Sequence, residues 1–119
     1  MSKQISSKRR AMVYERDGRR CQYCGKPNLS IDEITLDHIT PQVFGGAHSV
    51  DNLRVACKSC NSSRNKASIE DFRLQCTLRA SGLLQTISTT QAKVLMERGI
   101  DLKLKPAHVF FFEQKEVEQ

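Results

Sequence analysis

Two short stretches of the chain carry side chains that could act on a phosphate group. Asp37 and His38 are adjacent, and Asn61 directly follows a pair of cysteines, Cys57 and Cys60. Mg²⁺ prefers oxygen ligands and keeps several waters, so one carboxylate and one carboxamide can serve as its protein ligands. An imidazole with an ordinary pKa of about 6.5 is mostly neutral at pH 7 and can take a proton from water. These residue types fit phosphodiester hydrolysis assisted by a divalent cation.

A β-strand is expected to carry the adjacent acid and histidine. In residues 33–39, EITLDHI, polar and apolar residues alternate as they do in a strand. Neighbouring side chains of a strand point to opposite faces, so Asp37 and His38 suit two different tasks around one phosphate. Residues 53–56 predict a second short strand, and a helix is expected from residue 59 or 60 to about residue 65. Two strands and one helix would then surround the reactive side chains.

Four of the five cysteines form two C-x-x-C pairs, Cys21 with Cys24 and Cys57 with Cys60. This spacing presents two sulfurs to one ion, and four thiolates complete a tetrahedral Zn²⁺ site. Thirty-two residues separate the two pairs, more than the roughly 15–20 of an ordinary zinc ribbon, and the excess contains the acid and the histidine. Two redox-active pairs or two disulfides are the alternatives. Cys76 is expected in a helix core, with a ligand or redox role as its alternative.

The order and spacing of these stretches resemble the HNH endonuclease family, whose active site is called ββα-metal. The resemblance covers about residues 16–66, and the segments that carry it are RDGRRCQYCG, LDHITP, GG, DNL and CKSCNSSRNK. It implies an α+β fold, in which a small ββα-metal core is stabilised by a structural zinc and flanked by helices. It also implies hydrolysis of DNA phosphodiester bonds that leaves 5′-phosphate and 3′-hydroxyl ends.

The same resemblance implies a role for individual residues. His38 matches the general base, and Asp37 and Asn61 match positions that bind the catalytic cation. Asn52 matches a middle asparagine that orients the base or its loop. Arg64 stands at a position often held by Lys or Arg, where it could contact the scissile or a neighbouring phosphate. Because the last motif position is asparagine rather than histidine, the resemblance implies Mg²⁺ or Mn²⁺ rather than Zn²⁺ or Ni²⁺ as the catalytic cation.

The net charge of +6 is concentrated near the start of the chain, where residues 1–20 carry seven cations and two acids. A short basic helix is expected over residues 8–16, ended by Gly18. Such a basic segment favours a polyanionic partner, most simply nucleic acid. A solvated surface without a partner is the alternative. The cations expected to contact DNA are Lys8, Arg9, Arg10, Arg19 and Arg20.

The chain is expected to have three parts: a basic N-terminal helix or arm (1–20), the HNH core with its zinc site (21–67) and a helical extension (68–119). Helix starts are expected at residues 68 and 89, where polar caps precede apolar positions at helical spacing. Residues 109–112 predict a strand that ends the extension, with its phenylalanines in a core or an interface. His48 could line the active-site loop, and His108 lies outside the motif.

Composition excludes two classes of protein. No apolar run approaches the roughly 18 residues that a membrane span requires. The basic N-terminus lacks the apolar stretch of a signal peptide. Five cysteines in 119 residues could indicate the disulfides of a secreted protein. Their pairing and the absence of an export signal favour a reduced, cytoplasmic protein with a metal site instead.

The sequence therefore predicts a small HNH-type endonuclease that nicks or cleaves double-stranded DNA with a divalent cation. A non-catalytic zinc-knuckle module that binds nucleic acid is the first alternative, and it would be indifferent to Asp37, His38 and Asn61. A component of a phage packaging or restriction system, active only with a protein partner, is the second. No helix-turn-helix motif is recognisable, so high intrinsic sequence specificity is not expected.

Overall fold

The computed structural model describes residues 5–118, with side chains described as far as residue 114. Residues 1–4 of the predicted N-terminal arm and residue 119 lie outside this range. In the described part the helices and strands are, in chain order, α1 (Ser7–Asp17), β1 (Ile34–His38), β2 (Leu53–Cys57), α2 (Lys58–Arg64), α3 (Ile69–Ala80), α4 (Thr89–Glu97) and α5 (Phe111–Glu118). None of the described helices is long and apolar enough to cross a membrane.

The chain forms two compact units. The first combines the described residues of Met1–Lys66 and of Phe110–Gln119, and the second is Ala67–Val109. The first unit therefore contains α1, the two strands, α2 and the C-terminal helix α5. The segment from Phe110 onward returns to the unit that holds the cysteines and the strands.

The strands β1 and β2 form a two-stranded antiparallel sheet that is followed directly by α2. In its register Ile34 pairs with Cys57 and His38 pairs with Leu53. Four of the five residues of β2 are buried, so this strand is part of the core. The predicted α+β fold with a ββα core is confirmed, and the sheet brings the end of β1 close to the start of β2.

The basic helix α1 is anchored to the sheet by its last turn. Ser6 caps its start by accepting a hydrogen bond from the Arg9 amide at 3.2 Å. Arg16 donates to the carbonyls of Val50 and Leu53, and Asp17 accepts from the amide of Val55 at 2.9 Å. The predicted helix is confirmed, and one of its cations is committed to the fold rather than to a partner.

The second unit is built on α3 and α4, which begin where the sequence predicts. Ser68 accepts from the Asp71 amide at 3.1 Å, and Ser88 forms a capping box with Gln91. Cys76 lies half-buried on α3, and burial raises the pKa of its thiol. This environment supports the core interpretation of Cys76, because a buried thiol with a raised pKa is a poor nucleophile.

The predicted strand over residues 109–112 is wrong, because Phe111 begins α5. The amides of Phe111 and Phe112 donate to the carbonyls of Tyr23 and Gln22, at 3.0 and 2.8 Å. The Glu113 side chain accepts from the Phe110 amide at 2.9 Å, as the third helical residue does in a capping box. These contacts satisfy the backbone without a partner strand, so apolar composition alone did not decide the local structure.

The phenylalanines of this segment pack where the sequence expects them, in a core. Phe110 is fully buried, and its ring meets the Tyr23 ring edge-on with centroids 5.5 Å apart. It also stacks on Phe112 at 5.8 Å. Aromatic pairs of this kind contribute about 0.5–1.5 kcal/mol beyond the area that they bury. The C-terminal segment therefore supports the backbone of the first cysteine pair, where Tyr23 lies.

Candidate functional site

The four paired cysteines come together in the first unit. The sulfur atoms of Cys21, Cys24, Cys57 and Cys60 all lie within 4.8 Å of one another, and those of Cys24 and Cys57 are 3.9 Å apart. A tetrahedral Zn²⁺ with bonds of about 2.3 Å to sulfur needs sulfur atoms about 3.8 Å apart. The cluster therefore has the ligands and the dimensions to hold zinc, and disulfide pairing is not what the structure contains.

Each cysteine pair forms a backbone knuckle. The amide of Cys24 donates to the sulfur of Cys21, and the amide of Cys60 donates to that of Cys57, both at 3.4 Å. A hydrogen bond from the Cys60 thiol lowers the pKa of Cys21 to about 4. The same hydrogen bond is the main cause of the raised pKa of Cys60. Four thiolates this close repel one another, and a divalent cation is what allows all four to ionise together.

The second knuckle is also the start of α2. The sulfur of Cys57 accepts from the amide of Cys60 as the N-terminal cap of this helix. Asn61 follows Cys60 directly, and Arg64 lies one turn later. The cysteine cluster therefore determines where α2 begins, and with it the positions of Asn61 and Arg64.

A cavity of about 270 Å³ lies beside this helix, between the end of β1 and the loop that follows it. It collects three of the residues that the sequence predicts to act together, Asp37, His38 and Asn61. The exposed cation Lys66 also lines it. The complete lining is Leu36, Asp37, His38, Pro41, Gln42, Val43, Asn61, Asn65 and Lys66.

Asp37 is buried and has one oxygen engaged. Its Oδ2 atom accepts hydrogen bonds from the Tyr23 hydroxyl and from Arg64 Nη1. Burial and the neighbouring carboxylate raise the pKa of Tyr23, so its hydroxyl remains a donor. Among the described residues nothing donates to Oδ1 of Asp37. That oxygen is available to a cation in the cavity.

Arg64 is placed differently from the prediction. It is only 1% exposed, and its guanidinium donates to Asp37, to the Tyr23 hydroxyl at 2.8 Å and to the carbonyls of His38 and Ile39. The predicted contact between Arg64 and a phosphate has no support in this arrangement, because the guanidinium is enclosed and its charge is paired. Arg64 instead fixes the end of β1, where the acid and the histidine lie.

The amide group of Asn61 has a defined orientation. Its Nδ2 atom donates to Thr35 Oγ1 at 3.0 Å, and the Thr35 hydroxyl donates its own proton to the carbonyl of Ala56 at 2.8 Å. Since that hydroxyl proton is used, Thr35 can only accept from Asn61, which fixes the nitrogen on this side. The Oδ1 atom of Asn61 has no hydrogen-bond partner in the described part of the chain. It provides a second oxygen suited to a hard cation.

Asn52 holds together the two arms of the loop that follows β1. Its Oδ1 atom accepts from the Thr40 amide at 2.9 Å, and its Nδ2 atom donates to the carbonyls of Thr40 and Ala47 at 3.1 and 2.8 Å. Gly46 makes this approach possible, because a Cβ atom there would lie 1.7 Å from the Thr40 oxygen. This geometry matches the loop-orienting role that the family resemblance implies for Asn52.

His38 lies at the end of β1 in contact with a second histidine. Its Nε2 atom is 2.8 Å from Nδ1 of His48, and Nε2 of His48 is 3.1 Å from Nε2 of Gln42. Burial lowers the pKa of His38, and the nearby His48 adds to this effect, against the opposing charge of Asp37. A lowered pKa keeps the imidazole neutral, and therefore basic, at pH 7.

Sequence reasoning misses part of this site. Tyr23 lies between the two cysteines of the first pair, and the sequence around it does not predict its contact with Asp37. Lys66 is the last residue of the motif CKSCNSSRNK, but the resemblance implies no role for it. His48 is only an alternative from the sequence, although its position between Gly46 and Asn52 in the loop is a usable signal.

The five cations predicted to contact DNA fall into two groups. Lys8, Arg9 and Arg10 are exposed on α1. Arg19 donates to the carbonyl of Leu29 at 2.9 Å, and the Arg20 guanidinium lies 4.9 Å from the ring centre of Phe111. Both residues remain exposed, so the internal contacts hold these side chains without removing them from solvent.

The segment that contains this site is similar to a known protein family. Residues 21–67 match the family model for HNH endonucleases. This segment is similar to HNH endonuclease domains. It contains both cysteine pairs, the two strands and α2, so the recognition made from the sequence is confirmed.

A solved structure supports the same assignment for the fold. The chain is similar to the crystal structure of the Type II-C Cas9 enzyme from Actinomyces naeslundii, with 25% sequence identity and a TM-score of 0.50. The similarity covers 82% of this chain and 11% of that chain, so this chain spans only a small part of the length of that enzyme. No curated protein matches the sequence. The HNH family match and this neighbour together support a nuclease-type function.

Proposed function

We propose that this protein is an HNH-type endonuclease that hydrolyses phosphodiester bonds of double-stranded DNA with a Mg²⁺ or Mn²⁺ ion. One observation carries the proposal: a single cavity is lined by Asp37, Asn61 and His38, two of them with an uncommitted oxygen. The HNH family match supports it independently. The cavity also contains Lys66, whose exposed ammonium takes the phosphate-contacting role that burial denies to Arg64.

In this proposal Asp37 and Asn61 would hold the cation through their Oδ1 atoms. The cation would supply neutralisation of charge on the phosphoryl oxygens and assistance to the departing 3′-oxygen. Neutral His38 takes the proton of the attacking water, a step worth about 10²–10⁴-fold in rate. Arg64 and Tyr23 hold Oδ2 of Asp37, so the carboxylate presents its other oxygen to the cavity. The products carry 5′-phosphate and 3′-hydroxyl ends.

The four cysteines hold a structural zinc in the same proposal. They would fill all four positions of a tetrahedral ion and leave none for water or substrate, which is the arrangement of structural rather than catalytic sites. The second metal therefore contributes to the shape of the site and not to the reaction. Thiols must stay reduced to bind it, which fits a reducing compartment such as the cytoplasm.

A plasmid assay tests the proposal. Protein with its cysteine site loaded with zinc should convert supercoiled DNA to open circles when Mg²⁺ or Mn²⁺ is added, and should be inactive without either ion. DNA ligase should reseal the nicks directly, because their ends are 5′-phosphate and 3′-hydroxyl. Asp37→Asn is the control: it keeps the size of the side chain but removes its charge, and it should be inactive. Binding of DNA without cleavage under all these conditions would instead identify a non-catalytic zinc module.

The basic helix α1 is the proposed contact to the DNA backbone. Changing Lys8, Arg9 and Arg10 to glutamine should reduce the slope of log affinity against log salt by about 0.9 for each phosphate that is no longer neutralised. The measurement is fluorescence anisotropy of a labelled duplex over a range of salt concentrations, in protein that also carries His38→Ala to prevent cleavage. The matched control changes three exposed cations of the second unit, Arg98, Lys103 and Lys105. Equal slopes for both variants would show that α1 is only a solvated surface.

A further inference from the structure

His38 and Gln42 line the cavity, and His48 connects them through two contacts that the proposed mechanism does not yet use. Nε2 of His38 faces Nδ1 of His48 at 2.8 Å, and Nε2 of His48 faces the amide nitrogen Nε2 of Gln42 at 3.1 Å. The two imidazole rings are inclined, with centroids 5.0 Å apart. Each of these contacts needs one donor and one acceptor, and a neutral imidazole has one nitrogen of each kind. The two hydrogen bonds must therefore run in the same direction along the three side chains.

Two directions are possible when both rings are neutral. In one, the Gln42 amide nitrogen donates to His48, whose Nδ1–H donates to Nε2 of His38. The proton of His38 is then on Nδ1, and neither of its nitrogens can accept a proton from water. In the other, His38 donates its Nε2–H to His48, which donates its own Nε2–H to Oε1 of Gln42. The lone pair of His38 is then on Nδ1.

The amide of Gln42 selects between these directions. The nitrogen Nε2 is the atom that faces His48 here, but the oxygen and nitrogen exchange places by rotation about the last side-chain bond, and only their hydrogen-bond partners distinguish them. The direction in which Gln42 accepts is reached by that rotation. In the described part of the chain no protein group bonds to Nδ1 of His38, so that nitrogen is the one left for a water. A working base thus requires the direction in which Gln42 accepts.

We propose that His48, oriented by Gln42, is a positioning residue that accepts the Nε2–H of His38 and so makes Nδ1 of His38 the basic nitrogen. The inference rests on the proposed nuclease function. In the reacting step Nδ1 takes a proton from the attacking water, and the water oxygen bonds to phosphorus. The bond to the 3′-oxygen breaks, and that oxygen takes a proton from solvent. His38 becomes an imidazolium that still donates to His48.

The loop that carries His48 and Gln42 is built to keep them in place. Asn52 ties Thr40 to Ala47 through three hydrogen bonds, and these residues flank the segment that holds Gln42 and precede His48. The close approach of Gly46 to the Thr40 oxygen tightens the same loop. The acceptor for His38 is therefore presented by a braced segment rather than by a free side chain.

Two substitutions of His48 separate its acceptor role from its bulk. His48→Asn places an amide oxygen where Nδ1 stands and should keep the maximal single-turnover cleavage rate within about threefold of wild type. His48→Ala has no acceptor and should lower that rate about 10–100-fold, a smaller loss than removal of the base itself. The affinity for DNA should be unchanged in both variants. Equal rates for the alanine and asparagine variants would overturn the proposal, whether both are slow or both are fast.

A positioning residue acts only through the group that it positions. His48→Ala should therefore slow cleavage in the wild-type background but cause no further loss when His38→Ala is already present. An additional loss of similar size in the double variant would overturn the proposal, because His48 would then act independently. This comparison uses the same plasmid assay and the same zinc-loaded protein.

The ¹⁵N spectrum of the imidazole groups tests the inference without activity. In zinc-loaded protein at a pH where His38 is neutral, its proton should be on Nε2 in wild type and in His48→Asn. A proton on Nδ1 in wild type would overturn the proposal. This readout also separates two failures. If wild type does not cleave DNA, the proposed function fails while the spectrum still decides the proton position; if it cleaves as fast with His48→Ala, only this inference fails.

Discussion

Cys60→Ser should release the zinc, abolish cooperative unfolding of the first unit and eliminate cleavage, even with Mg²⁺ in excess. Structural zinc in small modules contributes on the order of 10–16 kcal/mol of apparent binding free energy, against a typical domain stability of about 5–15 kcal/mol. The substitution also acts on geometry, because Cys60 immediately precedes Asn61 on α2. Loss of one sulfur should therefore misplace a proposed ligand of the catalytic cation as well as weaken the fold.

Cys76→Ser is the matched control for this prediction. It makes the same chemical change at a half-buried position of α3, outside the sulfur cluster. Metal analysis should find about one zinc per chain in wild type and in Cys76→Ser, and almost none in Cys60→Ser, while thermal unfolding is followed in parallel. Wild-type protein without zinc, or Cys60→Ser protein that unfolds and cleaves like wild type, would contradict the four-cysteine site.

Arg64→Met should reduce the free energy of unfolding by about 3–5 kcal/mol. The substitution keeps a long apolar stem but leaves the buried carboxylate of Asp37 without its cation, and an unpaired buried charge costs about this much. It also removes the donors to the carbonyls of His38 and Ile39. Urea unfolding of the zinc-loaded protein gives the measurement. Cleavage should fall with it, since the end of β1 loses its support.

Arg9→Met provides the control for the same loss of charge at an exposed position of α1, where the expected change is within about 0.5 kcal/mol. Adding Asp37→Asn to Arg64→Met should recover part of the lost stability, because the carboxylate then no longer carries an unpaired charge. If Arg64→Met were as stable as Arg9→Met, the buried ion pair would not be what holds this end of the strand.

Features that depend on neighbouring residues could be predicted from the sequence. The alternation in residues 33–39 gives β1, and Gly18 ends α1 with a φ of 70°, a conformation that glycine tolerates best. The two C-x-x-C pairs predict the sulfur cluster because each pair forms its knuckle from four consecutive residues. Here local pattern and tertiary structure agree.

Features that depend on distant partners could not be predicted. In CKSCNSSRNK nothing distinguishes the enclosed Arg64 from the exposed Lys66, because burial of Arg64 is decided by Tyr23 and Asp37, which are far from it in sequence. The segment after Val109 has the composition of a strand but becomes a helix, because the carbonyls of Gln22 and Tyr23 take its first amides. The contact between His38 and His48 depends in the same way on the course of the loop.

The most direct test of the nuclease assignment is the initial rate of plasmid cleavage at increasing Mg²⁺ concentration, for wild type beside His38→Ala at equal zinc content. Wild type should cleave at a rate that rises with Mg²⁺ and saturates. His38→Ala should bind the same DNA with the same affinity but cleave about 10²–10⁴-fold more slowly, as expected when a general base is removed. A wild-type protein that does not respond to Mg²⁺ or Mn²⁺, or a His38→Ala protein that cleaves as fast as wild type, would contradict the account.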